Sequence, residues 1–142
     1  MRSIHIFITI ICCFFIYSCI KSDTSLNAND ELLNFSYDGI FYHEYSEGNY
    51  EYYDIDLNES KINELNIILE KNTWELDKDP VATGFLHGYG LLNQNKIIVY
   101  FSYYENKMCI IIKNPDNGDT TAVYWASIEI YKNIELFYKN NL

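Results

Sequence analysis

This 142-residue chain contains few histidine and cysteine residues that could carry out acid–base or nucleophilic chemistry. Beyond residue 19, the candidates are His43, His87 and Cys109. His87 lies in segment 84–90, whose glycine spacing matches neither a dinucleotide-binding motif nor a P-loop. Glycines within a strand usually mark a bulge or a close backbone approach. We therefore predict no catalytic residue. The alternative is a small envelope hydrolase that uses His87 and nearby acids.

A calcium-like pattern is the metal candidate that the sequence offers. Asp54-x-Asp56-x-Asn58 copies the opening of a calcium loop. The sixth position, which requires glycine, is Glu59, and the twelfth, which requires glutamate, is Leu65. We therefore predict neither a metal nor a cofactor.

Aromatic residues are concentrated in two segments that have strand-like composition. The first contains Tyr37, Phe41, Tyr42, Tyr45, Tyr50, Tyr52 and Tyr53, and the second contains Tyr100, Phe101, Tyr103 and Tyr104. Core and cross-strand packing accounts for most of these residues. Strand alternation must nevertheless turn some tyrosines outward, where tyrosine is a common contact residue. We predict Tyr42 and Tyr52 as outward-facing binding residues, together with His87.

The first 19 residues combine a positive charge with an apolar run. Arg2 precedes residues 6–17, in which Thr9 is the single polar residue. This length suits the hydrophobic region of a signal peptide better than a membrane span of about 20 residues. The run ends in Ile16-Tyr17-Ser18-Cys19, which resembles the lipobox of bacterial lipoproteins.

That resemblance implies a signal peptide over residues 1–18 and an acylated Cys19, carrying chains such as palmitate, as the mature N-terminus. The protein would then be anchored by lipid to a membrane of the bacterial cell envelope, on a periplasmic or surface face. The alternative is an uncleaved N-terminal anchor. Residues 19–36 are polar after Cys19 and are expected to form a tether to a domain over residues 37–142.

The charge of the chain restricts its partners. After Arg2 the chain contains nine lysines, no arginine and 20 acids. Nucleic-acid binding requires a basic footprint and is therefore excluded. An acidic surface is compatible with a basic protein partner, although solubility alone would also favour it. Cys109 has no second cysteine in the mature domain, and its apolar surroundings indicate a buried, inert thiol.

The elements that must position these residues form an α+β pattern. We predict strands over residues 40–45, 50–57, 85–92, 96–104, 107–113 and 120–125, with residues 73–76 as a further candidate for a short strand. A helix capped by Asn58 or Ser60 is expected to end at Asn72 in a left-handed turn, and Ser127 is expected to cap a final helix. The predicted fold is an antiparallel sheet of about five to six strands with two helices packed on one face.

Three classes of function are consistent with these observations. The first is a protein-binding module at the cell envelope, and an immunity-type inhibitor of a basic secreted toxin or hydrolase is a specific version of it. The second is the hydrolase that uses His87. The third is a structural component of the envelope. We predict the binding module and no enzymatic activity.

Overall fold

Seven antiparallel strands form one sheet in the computed structural model, which describes residues 33–46, 49–80 and 87–142. The strands are β1 (Gly39–Ser46), β2 (Asn49–Asp56), β3 (Glu75–Leu76), β4 (His87–Asn93), β5 (Lys96–Tyr104), β6 (Lys107–Lys113) and β7 (Thr120–Ser127). Their order across the sheet is β2-β1-β4-β5-β6-β7-β3. All of these strands belong to one compact unit, Ser36–Leu142.

The predicted α+β class and antiparallel sheet are confirmed, whereas the predicted number of five to six strands is wrong. The strand at the far edge, β3, has two residues, and it pairs with β7 through Glu75 opposite Trp125 and Leu76 opposite Tyr124. A strand this short shows no alternation of its own. Its pairing partner, which is distant in sequence, therefore decides that it is a strand.

Helix α1 (Glu59–Leu69) begins where the sequence predicts and ends earlier. The Asn58 side chain accepts a hydrogen bond from the backbone N–H of Lys61 at 3.1 Å. The left-handed residue after the helix is Glu70, with φ 44°, and the predicted stop at Asn72 is wrong. The indole N–H of Trp74 donates to the Leu69 carbonyl at 2.7 Å, which satisfies one of the carbonyls that a helix end leaves unpaired.

Helix α2 (Ile128–Asn141) covers part of the sheet. The Ser127 hydroxyl accepts from the backbone N–H of Glu129 at 3.3 Å, so the predicted cap is confirmed. The helix packs against β5, β6 and β7, and α1 packs against α2. The buried side chains of α2 are Ile130, Tyr131, Ile134, Phe137 and Tyr138. Neither helix has the length and apolar character needed to cross a membrane.

Both faces of the sheet carry buried side chains. On the face that α2 covers, called the helix face below, the paired row across the strands is Tyr53, Tyr42, Tyr89, Phe101, Ile110 and Tyr124. On the second face, the corresponding row is Asp54, Phe41, Gly90, Tyr100, Ile111 and Val123. Strand alternation decides which face each residue occupies, and the register between strands decides which residues lie side by side in a row.

Candidate binding site

A group of five tyrosines meets where the C-terminal half of α2 lies over β1, β4 and β5. Tyr42 and Tyr89 are cross-strand partners, and their ring centroids are 5.2 Å apart. Helix α2 places Tyr131 and Tyr138 at 5.6 Å and 5.3 Å from the ring of Tyr89. Tyr103 of β5 packs edge-on against Tyr131 at 5.2 Å. Aromatic pairs prefer such tilted and edge-on arrangements, so the rings support one another.

These rings line a cavity of about 440 Å³, which we call the tyrosine cleft. Its walls are formed by Tyr42, His87, Tyr89, Tyr103, Tyr131, Glu135, Tyr138, Lys139 and Leu142. Ligand pockets in proteins span about 300–1,000 Å³ and combine apolar walls with a few polar groups. The tyrosine cleft has the size and the composition of a binding pocket for a small ligand or a protruding side chain.

Polar groups stand at defined positions around the cleft. The Nε2 atom of His87 and the hydroxyl of Tyr103 are within hydrogen-bond distance at 3.2 Å. The Lys139 ammonium donates to the Glu135 carboxylate at 2.6 Å. Glu44 lies directly opposite His87 in the pairing of β1 with β4, so its carboxylate side chain is on the helix face beside the cleft.

Three tyrosine hydroxyls of the cleft keep their protons at neutral pH. Burial raises the pKa of Tyr42, Tyr89 and Tyr131, and the carboxylate of Glu135 adds to the increase in each case. A protonated phenol both donates and accepts hydrogen bonds. The cleft therefore presents neutral hydroxyls and aromatic faces to a ligand.

The described residues that line the cleft include no serine, threonine or cysteine, and the His87 ring has the phenol of Tyr103 as its hydrogen-bond partner. Nucleophilic catalysis requires an activated nucleophile within reach of a base. Cys109 lies on the second face of the sheet, where it is buried, and burial raises the pKa of its thiol to about 11. The thiol is therefore protonated at neutral pH, as expected for an inert cysteine.

A second feature, the edge strand β2 with its neighbour β1, carries an unusual surface. Tyr45, Tyr52 and Tyr53 are exposed to 45%, 51% and 50%. Four exposed carboxylates accompany them, from Glu44, Glu51, Asp54 and Asp56. None of the ion pairs between described residues involves these four acids. We call these three tyrosines and four acids the acidic edge.

The predicted binding residues do not form one surface. Tyr42 and His87 both line the tyrosine cleft, so the structure brings these two together. Tyr42 is half-buried against Tyr89 and Tyr138, and the prediction that it faces outward is wrong. Tyr52 lies opposite His43 on the second face of the sheet. Tyr42 pairs with Tyr53 and Tyr52 pairs with His43, so strand alternation places Tyr42 on the helix face and Tyr52 on the second face.

The remaining site predictions concern a metal and the lipid. Within the residues that the structure describes, no three His, Cys, Asp or Glu side chains are grouped to hold a metal ion. Asp54 and Asp56 of the calcium-like pattern both belong to strand β2. The predicted lipid attachment at Cys19 lies outside the described residues.

Sequence reasoning missed the contribution of α2 and β4 to the cleft. Tyr131 and Tyr138 are seven residues apart and share one side of a helix, a pattern that indicates only a buried stripe. Tyr89 follows Gly88 in a segment that we interpreted as structural. Their convergence depends on β4 lying beside β1, which no local pattern predicts.

Comparisons with known proteins give no further guide to the site. The chain matches no protein-family model, no curated protein and no solved structure. The function of the chain is therefore inferred from its residues and their geometry.

Proposed function

We propose that this protein is a lipid-anchored component of the bacterial cell envelope whose Ser36–Leu142 unit binds a basic protein partner. The acidic edge carries this proposal. It combines tyrosines, which are enriched at protein interfaces, with carboxylates that are not engaged in ion pairs within the described structure. Residues 39–56 contain five acids, at positions 44, 47, 51, 54 and 56, and no lysine or arginine.

Charge complementarity determines the kind of partner. A surface of one sign accelerates encounter with a surface of the opposite sign and disfavours partners of like sign. The whole chain has a net charge of −10, so its long-range field adds to that of the acidic edge. An immunity-type inhibitor of a basic toxin or hydrolase is the specific form of binding module that this field suits. A gene for a secreted toxin beside the gene for this protein would support that form.

The test compares two variants that lose the same charge. Asp54→Asn with Asp56→Asn removes two carboxylates from the acidic edge. Glu59→Gln with Glu64→Gln removes two exposed carboxylates from α1 and is the matched control. Immobilised protein is exposed to the secreted and envelope proteins of its source organism, and the affinity for each retained protein is measured at low and high salt.

We expect the retained proteins to be basic and their binding to weaken with salt. The edge variant should bind several-fold more weakly, because exposed charge pairs each contribute about 0.2–1 kcal/mol, whereas the α1 variant should resemble the wild type. Retention of acidic or neutral proteins only, or equal effects of the two variants, would overturn the proposal.

The hydrolase alternative has its own discriminating variant. His87 stands in the cleft with Tyr103 and opposite Glu44, so it is the residue on which such an activity would depend. We expect the biological activity to persist in His87→Ala, reduced only by the local loss of packing in the cleft wall, while replacement of edge tyrosines weakens partner capture. Loss of activity in His87→Ala with capture unchanged would instead favour the enzyme. Circular dichroism of each variant confirms that it is folded.

A further inference from the structure

The tyrosine cleft adjoins the acidic edge and differs from it in shape. The Tyr138 hydroxyl, on the cleft wall, donates to the backbone carbonyl of Tyr53 in the edge strand at 2.8 Å. The edge lies along the border strand of the sheet, whereas the cleft is a cavity of about 440 Å³. A partner seated on the edge therefore has a pocket within reach for one protruding side chain. Such buried anchors carry much of the energy of protein interfaces.

The walls of the cleft favour a cation. The face of an aromatic ring carries partial negative charge and attracts ammonium and guanidinium groups within about 6 Å. Five tyrosines line the cavity, and burial raises the pKa of three of them, Tyr42, Tyr89 and Tyr131, so these three rings stay neutral with intact hydroxyls. Tyr103 is 46% exposed at the cavity and is therefore accessible to a ligand.

The charged groups at the cleft also favour a cation. Among the described residues that line the cleft, Lys139 is the one lysine, and Glu135 already neutralises it in an ion pair of 2.6 Å. Glu44 is exposed and has no ion-pair partner among the described residues. An entering cation therefore meets an uncompensated carboxylate at Glu44, whereas an entering anion is repelled by it.

We propose that the tyrosine cleft binds one arginine or lysine side chain of the basic partner, with its cationic end against the ring faces and near Glu44. This inference rests on the proposed function and adds the anchor that the partner must supply. Arginine suits the site especially well, because its planar guanidinium stacks on aromatic rings and donates several hydrogen bonds to carboxylate and hydroxyl oxygens. The partner's sequence should therefore contain an exposed arginine or lysine at the centre of its interface.

The test uses four small probes with the full chain. N-acetyl-arginine amide and N-acetyl-lysine amide carry the cation, and N-acetyl-citrulline amide and N-acetyl-norleucine amide are their uncharged counterparts of similar shape. Each probe is titrated while the ring signals of the tyrosines are followed by NMR. We expect saturable shifts of the cleft tyrosines with the two cationic probes and at least about tenfold weaker binding of the uncharged ones, consistent with the loss of both cation–π and carboxylate interactions.

Variants locate the binding within the cleft. Tyr103→Leu should weaken binding of the arginine probe about 2- to 30-fold, the range that one cation–π contact supplies, and Tyr103→Phe should retain most of it. Glu44→Gln should weaken binding of both cationic probes severalfold. Tyr104→Leu is the matched control, because Tyr104 is the next residue along β5, is 62% exposed and does not line the cleft. It should bind the probes like the wild type.

Three outcomes would overturn the inference. Equal affinity for arginine and citrulline would show that the cleft does not select a cation. Shifts confined to Tyr45 and Tyr52 would place the cation on the acidic edge and leave the proposed function intact. Binding of the arginine probe in the cleft without any capture of basic proteins would overturn the proposed function, and with it the assignment of the cation to a protein partner.

Discussion

Tyr124 and Tyr138 are both buried tyrosines whose hydroxyl groups have different surroundings. The Tyr138 hydroxyl donates to the Tyr53 carbonyl at 2.8 Å. The Tyr124 hydroxyl is buried and has no hydrogen-bond partner among the described residues. A buried polar group without a partner loses its hydration and gains nothing in return, whereas a bonded group contributes to stability. The two residues therefore form a natural pair for testing how the hydroxyl affects stability.

Replacement of each tyrosine by phenylalanine should change stability in opposite directions. Tyr124→Phe is expected to raise the free energy of unfolding by about 1 kcal/mol, because it removes an unsatisfied buried hydroxyl. Tyr138→Phe is expected to lower it by about 1 kcal/mol, because it removes a hydrogen bond. Urea unfolding of the wild type and both variants measures the difference. Destabilisation of the same size in both variants would contradict this account of the Tyr124 hydroxyl.

Strand β4 can lie between β1 and β5 because two of its residues have no side chain. A Cβ atom added to Gly90 would overlap the ring of Phe41 and lie 2.5 Å from the Val99 carbonyl oxygen. A Cβ atom at Gly88 would overlap the Phe101 carbonyl oxygen. The sequence left a bulge and a close backbone approach open at these glycines, and the structure shows the close approach. Gly88 and Gly90 thus allow β4, which supplies Tyr89 and His87 to the cleft, to lie close to its neighbours.

Gly90→Ala should therefore destabilise the sheet. We expect a loss of roughly 1–3 kcal/mol or more, because the rigid backbone of β5 and the buried ring of Phe41 cannot both move away from a new methyl group. Gly39→Ala is the control within β1, since its Cβ atom would stand 3.4 Å from its nearest neighbours, and its effect should be within about 0.5 kcal/mol. Thermal or urea unfolding compares the two. Equal losses would mean that the contact at Gly90 does not limit the packing.

At the scale of the whole molecule, buried phenols and a buried thiol link stability to alkaline pH. Burial raises the pKa of Tyr37, Tyr89 and Tyr131 from 10.0, and raises that of Cys109 from 9.0 to about 11. A group whose pKa is higher in the folded protein contributes stability that is complete below its unfolded pKa. That stability is lost as the pH rises toward the folded value, because only the unfolded chain then releases the proton readily.

We therefore expect the free energy of unfolding to fall as the pH rises above about 9. Urea unfolding at a series of pH values measures the slope. Tyr131→Phe removes one of the shifted phenols and should make the decline less steep. A free energy of unfolding that stays constant up to about pH 11 would contradict the buried, protonated state of these groups.

The proposed attachment of the protein to a membrane would depend on Cys19. Mass spectrometry of the mature protein should find an acylated cysteine at the N-terminus, because the sequence Ile16-Tyr17-Ser18-Cys19 resembles a lipobox. Cys19→Ser should prevent processing or release the protein from membranes. Cys109→Ser is the control for loss of a cysteine, and it should leave the acylation unchanged. A wild-type protein that begins at Met1, or that has an unmodified Cys19, would contradict the prediction.

The sequence by itself determined the local elements of this protein. The Asn58 and Ser127 caps, the two helices and the long strands were predicted because capping, alternation and helical periodicity are properties of neighbouring residues. The class of fold followed from the grouping of these elements. The glycines of β4 also indicated a bulge or a close backbone approach.

Only the tertiary structure decided what depends on residues far apart in the chain. The order of strands places β4 beside β1, although β2, α1 and β3 lie between them in sequence. This brings Tyr42 next to Tyr89 and both beneath Tyr138. The same register separates Tyr42 from Tyr52, and pairing with β7 turns Glu75–Leu76 into a strand. Strand pairing is set by the packing of many side chains together. The tyrosine cleft therefore exists only in the folded protein, and although the acids of the acidic edge lie within one segment of the sequence, the strand order places that segment at the border of the sheet.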